Sequence, residues 1–199
     1  SWFIKTPIYD HFSLLSKFKG QLEYQGQTTL AEGLCTYEYA RAAGAHGIVK
    51  KLLPEAYKLP LDFFTYQIIN LTETTQLLLT KADILGQPAA YSLHVRHTDQ
   101  PAEVYNNVEF KIISHQVDDY VSPSAKKMRL PQLFSWSVKD DANQKLLEII
   151  AEVDSPYRYG HGIGYASAYT FTGEYQNQKV QGRGYLEYID VENQNAFKD

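Results

Sequence analysis

The 199-residue chain holds one cysteine, Cys35, and one methionine, Met128. A lone thiol excludes an intrachain disulfide and any thiolate metal cluster. Long apolar runs are missing too. The longest aliphatic stretch is Leu77-Leu78-Leu79, far short of the roughly 18 residues a membrane helix needs. No cationic excess exists: 19 Lys and Arg against 23 Asp and Glu leave a net charge of −4. That balance speaks against nucleic acid and against a polybasic membrane surface, both of which call for a cationic face. The opening SWFIKTPIYDHF lacks the apolar core of a signal peptide, so a cytoplasmic location is expected. No G-x-S-x-G nucleophile elbow occurs. Gly160-x-Gly162-x-Gly164 and Gly182-x-Gly184 fit neither the dinucleotide nor the phosphate-loop pattern and lead into strands. They read as close backbone approaches or strand bends.

What the chain does have is aromatic residues, 16 Tyr, 9 Phe and 2 Trp, and an alternation of apolar and polar residues with period two. Lys19 to Tyr24 and Thr28 to Tyr39 flank Gln25-Gly26-Gln27 as a hairpin. Further strands are expected at 63–71, 75–85, 89–97, 103–116, 132–139, 145–153, 163–171 and 180–189, separated by short polar loops. The exception is 45–59, where Ile48, Leu52 and Leu53 share a helical face and Pro54 limits the helix to a turn or two.

The alternation sorts side chains by face. Tyr91, Leu93 and Val95 oppose Ser92, His94 and Arg96. Val108, Phe110 and Ile112 oppose Glu109 and Lys111, and Phe134, Trp136 and Val138 oppose Ser135, Ser137 and Lys139. One apolar and one wet face per strand describe a sheet curled around a single interior. About ten strands in one flat sheet would leave hazardous edges, so closure is favoured. The expectation is an all-β, antiparallel β-barrel of about ten strands with one short helix, spanning 1–199 as a single domain.

Candidate chemistry is sparse. His94 and His97 lie at an odd separation on a strand, so their rings point to opposite faces. His11, His46, His115 and His161 are scattered, and neither a metal site nor a cofactor is expected. His161, among Tyr157, Arg158 and Tyr159, is the histidine that draws notice. Cys35, mid-strand, reads as a small buried hydrophobe. Asp62, Glu148, Glu152 and Glu187 interrupt apolar strands. An inward carboxyl could protonate an alkene, whereas an outward one is merely solvated. The aromatic strand residues are expected to turn inward. Phe64, Tyr66, Phe134, Trp136, Tyr165 and Tyr169, with His161, are the candidate ligand-binding residues, weighed against plain core packing.

The segment from Pro131 carries Phe134-Ser135-Trp136, Phe171-Thr172-Gly173-Glu174 and Gly182-Arg183-Gly184-Tyr185-Leu186-Glu187. In these it resembles the lipocalin-like (calycin) proteins grouped with hydroxyneurosporene synthase and the AttH-like proteins. With YEYARAAGAHG, LPLDFFTYQIINL and MRLPQLFSW, the whole chain looks closer still to an uncharacterised bacterial family of this type. The resemblance implies a calycin barrel, often paired with a second, N-terminal barrel, so the chain would be the C-terminal half of a two-barrel protein. It also implies greasy substrates. Where the hydratase relatives carry W-E-G, this chain reads Tyr165-Ala166-Ser167-Ala168-Tyr169, so no catalytic acid transfers. The leading expectation is binding of a small hydrophobic, isoprenoid- or lipid-like ligand inside the barrel. The alternative is a hydratase or cyclase acting on a polyene by general-acid protonation, and a third is a structural module. The partners expected are that ligand and a second barrel domain or a homodimer, with no nucleic acid and no membrane span.

Overall fold

Period-two patterning becomes strand throughout the residues that the structure, a computed structural model, describes: 2–5, 9–42, 61–84, 86–122, 127–160 and 164–190. The short helix expected over 45–59 lies outside them. The strands are β1 (Trp2–Lys5), β2 (Tyr9–Tyr24), β3 (Gln27–Ala42), β4 (Leu61–Asn70), β5 (Thr75–Ile84), β6 (Gln87–His97), β7 (Glu103–Tyr105) and β8 (Asn107–His115). They continue with β9 (Tyr120–Val121), β10 (Lys127–Met128), β11 (Pro131–Lys139), β12 (Lys145–Val153), β13 (Arg158–Gly160), β14 (Gly164–Tyr175) and β15 (Gln178–Asp190).

Ten of these form one antiparallel sheet in the order β7-β6-β5-β4-β15-β14-β12-β11-β8, with β13 added to β14. Its two ends are the two halves of one bent strand. β7 pairs with β6 through Leu93↔Tyr105 and Val95↔Glu103. With only Asn106 between, β8 then pairs with β11 through Val138↔Val108 and Trp136↔Phe110. Each long strand therefore neighbours the next in sequence, and the last, β15, returns to the first, β4. This is an up-and-down, lipocalin-like closure, which removes the exposed edges of an open sheet. Tight turns set the register: Gln25-Gly26 joins β2 to β3 and Gln176-Asn177 joins β14 to β15, all four with positive φ, as primed hairpin turns require.

Gly184 does what the sequence suggested, lying under the ring tip of Tyr169, and Gly173, not singled out from sequence, lies against the backbone of β12 at Glu148 and Ile149. A side chain at either position would collide with its neighbour.

β1, β2 and β3 form a separate sheet, and the β2–β3 hairpin covers the outer face of β4–β6. This corrects the reading of Ser92, His94 and Arg96 as a wet face: all three are buried. Arg96, 2% exposed, donates to Ser13 Oγ, to Gln76 Oε1 and to Thr36 Oγ1 at 3.0 Å. Thr36 Oγ1 donates in turn to Gln76 Oε1 at 3.0 Å, Asn70 Nδ2 to the Leu34 carbonyl at 3.2 Å, and Tyr66 OH to Glu38. Burial draws the Arg96 guanidinium down to about 10 and Glu38 pulls it back, so it stays charged at neutral pH.

Burial first, and the Arg96 charge second, push the His94 imidazole from its ordinary 6.5 down to about 4. An unfolded chain takes up that proton near 6.5 and the folded one only near 4, so stability is full above this window and falls as pH drops through it. Urea midpoints should decline from pH 6.5 to 4, and His94→Gln should flatten part of the decline, with His115 shifted in the same direction. A pH profile identical in the variant would place the effect elsewhere.

Candidate functional site

Along β4, Thr65, Gln67 and Ile69 face the barrel interior, and the neighbouring strands match them with Leu79 and Leu77 on one side and Tyr188, Leu186 and Gly184 on the other. Rings fill the middle of the barrel. Phe110 lies 4.7 Å from Trp136 and 5.5 Å from Phe134, and Phe134 meets Tyr169 edge-on at 5.1 Å. Such offset and edge-on packing suits the ring quadrupoles. Trp136 Nε1 donates to Gln67 Oε1 at 2.9 Å, and Gln67 Nε2 donates to Thr65 Oγ1 at 3.1 Å. The buried indole and amide thus satisfy one another, as a dry interior demands.

The lining changes toward the end where β4 and β11 begin and β15 finishes. Four tyrosines gather there. Tyr120 lies edge-on to Tyr157 at 5.5 Å and to Tyr165 at 5.7 Å, and Tyr159 lies 5.4 Å from Tyr165. Beside Tyr165 on the next strand stands Tyr188, whose hydroxyl donates to Asp190 Oδ2 at 3.1 Å; Asp190 is 7% exposed. On the β5–β6 side, Tyr91 OH donates to Asp83 Oδ1 at 2.5 Å. Lys81 Nζ sits 4.7 Å from the Phe63 ring centroid and 3.7 Å from Asp83 Oδ2.

Two phenol oxygens on the inner wall, Tyr165 OH and Tyr169 OH, are buried and have no hydrogen-bond partner among the described residues. Burial raises both phenols, and raises Tyr188 with help from Asp190, because low-dielectric surroundings disfavour the phenolate. These groups therefore act as neutral donors. Burial and the Arg129 charge lower the imidazole of His115 while Asp190 opposes them, and its Nε2 is likewise buried without a partner among the described residues. Neutral donors around one buried carboxyl can hold an oxygen acceptor or pass a proton, but offer no activated nucleophile. Among the described residues no group of three His, Cys, Asp or Glu is placed to hold a metal ion, and no helix is long and apolar enough to cross a membrane.

Of the residues singled out from sequence, Phe134, Trp136 and Tyr169 come together inside, and Tyr165 faces the same interior among the tyrosines at its end. Phe64 and Tyr66 do not. Strand alternation puts them on the outer face of β4, stacked 6.4 Å apart, where Tyr66 is sealed beneath the hairpin through Glu38. The expectation that the rings all turn inward fails for this pair. Tyr66 is buried by the second layer, which alternation alone does not reveal. His161 lies outside the described residues. The four carboxyls considered as proton donors are not inside: Glu148 and Glu152 are exposed, Glu187 accepts from Tyr185 OH at 2.8 Å on the outer face, and Asp62 accepts from the Gly86 amide. Asp190 is an inward, buried carboxyl that sequence reasoning missed by ending the last strand at 189. Its spacing of two from Tyr188 and four from Leu186 was the available signal.

A pair of variants separates a satisfied group from an unsatisfied one. Trp136→Phe strips the Gln67 oxygen of its donor and should cost about 1–3 kcal/mol. Tyr169→Phe removes a hydroxyl that has no partner and should leave stability in urea unchanged or slightly higher. Equal losses for both would contradict the assignment.

A crystal structure of kievitone hydratase from Nectria haematococca superposes with a TM-score of 0.61 at 16% identity, over 92% of this chain and 53% of that one. The likeness is one of fold, and the chain spans about half the length of that structure. No curated protein matches the sequence. Residues 1–199 match the family described as "Family of unknown function (DUF6670)", and the chain belongs to that family.

Proposed function

We propose that this protein binds a small, mostly apolar molecule between the middle of its barrel and the tyrosine-lined end, with an oxygen acceptor of the ligand meeting Tyr165 or Tyr169. The observation that carries this reading is the pair of buried, unpartnered hydroxyls on the inner wall. Leaving a buried donor unpaired costs about 1–3 kcal/mol, which a ligand carbonyl or hydroxyl would recover. Phe134 and Trp136 would floor the site and Tyr120, Tyr157 and Tyr159 would flank it. An isoprenoid- or lipid-like ligand suits such a lining, and the resemblance of the C-terminal strands to AttH-like and hydroxyneurosporene synthase proteins supports a greasy one. A cytoplasmic location belongs to the same reading.

A matched pair of probes tests it: 2-acetylnaphthalene and 2-ethylnaphthalene differ only in the carbonyl. The native protein should prefer the ketone by about tenfold, equivalent to about 1.4 kcal/mol, and Tyr165→Phe with Tyr169→Phe should erase the preference while retaining the hydrocarbon. Failure to bind either probe would overturn the proposal.

Asp190 favours a second reading. A carboxyl that is buried, inward and hydrogen-bonded to Tyr188 could protonate an alkene, with water adding at the neighbouring carbon or a second double bond closing a ring. The fold neighbour is named as a hydratase. Incubation with farnesol or squalene in oxygen-labelled water should yield a labelled alcohol, or an unlabelled cyclic isomer, and Asp190→Asn should abolish either. Unchanged substrate would exclude catalysis on these isoprenoids.

A further inference from the structure

The β2–β3 hairpin has inverted polarity. Register pairs Ser13 with Glu38, Leu15 with Thr36 and Lys17 with Leu34 on one face. That face turns to the barrel through Ser13, Thr36 and Glu38 and carries Lys17, Lys19, Glu23, Glu32 and Glu38. The opposite face, directed away from the barrel, pairs Phe12 with Tyr39, Leu14 with Tyr37, Phe18 with Gly33 and Leu22 with Thr29. Between the Asp10–Arg41 ion pair at its base and Tyr24 at its tip it bears no charge at all. Leu14, Phe18, Leu22, Tyr24, Tyr37 and Tyr39 there are 38–74% exposed. At about 150–250 Å² for a large side chain, these six leave roughly 600 Å² of accessible, mostly apolar surface. That equals the largest patches found on ordinary monomers and approaches the roughly 800 Å² per partner of a stable interface.

We infer that this uncharged face is a self-association surface, covered by the same face of a second copy of this chain. A neutral surface offers a foreign partner no charge pattern to recognise, whereas its own copy is matched to it in both polarity and shape. Toward the tip, bulky Phe18 and Leu22 on β2 stand beside small Gly33 and Thr29 on β3, and toward the base Leu14 stands beside Tyr37. A two-fold axis parallel to the hairpin lays Phe18 and Leu22 of each copy on Gly33 and Thr29 of the other, and Leu14 on Tyr37, with the sheets about 10 Å apart. The space over Gly33 is open, with no atom near where a side chain would stand. The barrels then lie on the outer sides of the pair, clear of each other.

Sedimentation of the 199-residue chain at micromolar concentration tests this. The native chain should run as a dimer, and a short bis-maleimide should link the two copies through Cys35, the sole cysteine, which lies on this face opposite Ser16. Leu22→Lys with Tyr37→Lys should give a monomer. Gly33→Trp should do the same while circular dichroism and the thermal midpoint stay unchanged, since no atom lies within 4 Å of where its Cβ would stand. A monomeric native chain, including one that pairs only with a different protein, would overturn the inference, and so would a dimer that survives these substitutions.

Discussion

The bend at Asn106 is the constraint on which the rest depends. By pairing its first part with β6 and its second with β11, one strand joins two sheet edges and creates an inside. A closed inside is dry, so every group turned into it must be apolar or paired. The interior obeys: Trp136 lends its N–H to Gln67, Gln67 lends its amide to Thr65, and Tyr188 binds Asp190. Against that background the unpartnered hydroxyls of Tyr165 and Tyr169 are exceptions, and a functional reading begins with them.

The β-class, the antiparallel closure and most face assignments were legible in the sequence because strand periodicity is strictly two. Tyr91, Leu93 and Val95 could point only one way once Leu77 and Leu79 were placed. The glycines of the last strand were equally readable, since only close approach explains glycine opposite Tyr169 and Phe171. Periodicity stops short of telling what covers an outer face. Tyr66, His94 and Arg96 are buried by a hairpin distant in sequence, and nothing local announces that. Asp190 escaped because strand ends are the least determined part of any such reading, and a residue at the rim changes from loop to lining with one step of register.

Two layers thus divide the labour. The barrel concentrates apolar rings inside and gathers its polar exceptions at one end. The hairpin does the reverse, holding to the barrel through Arg96, Thr36, Gln76 and Glu38 and turning its uncharged side outward. A polar attachment is directional, so it fixes the hairpin's orientation, whereas an apolar one would tolerate sliding. That orientation presents Leu14, Leu22 and Tyr37 away from the barrel.

A crystal structure of the protein purified without detergent is the most direct test of the site. The expected result is continuous organic density within about 3 Å of the Tyr165 or Tyr169 hydroxyl, bounded by Phe134 and Trp136. No density beside either hydroxyl, or density confined to the outer wall of the barrel, would contradict it.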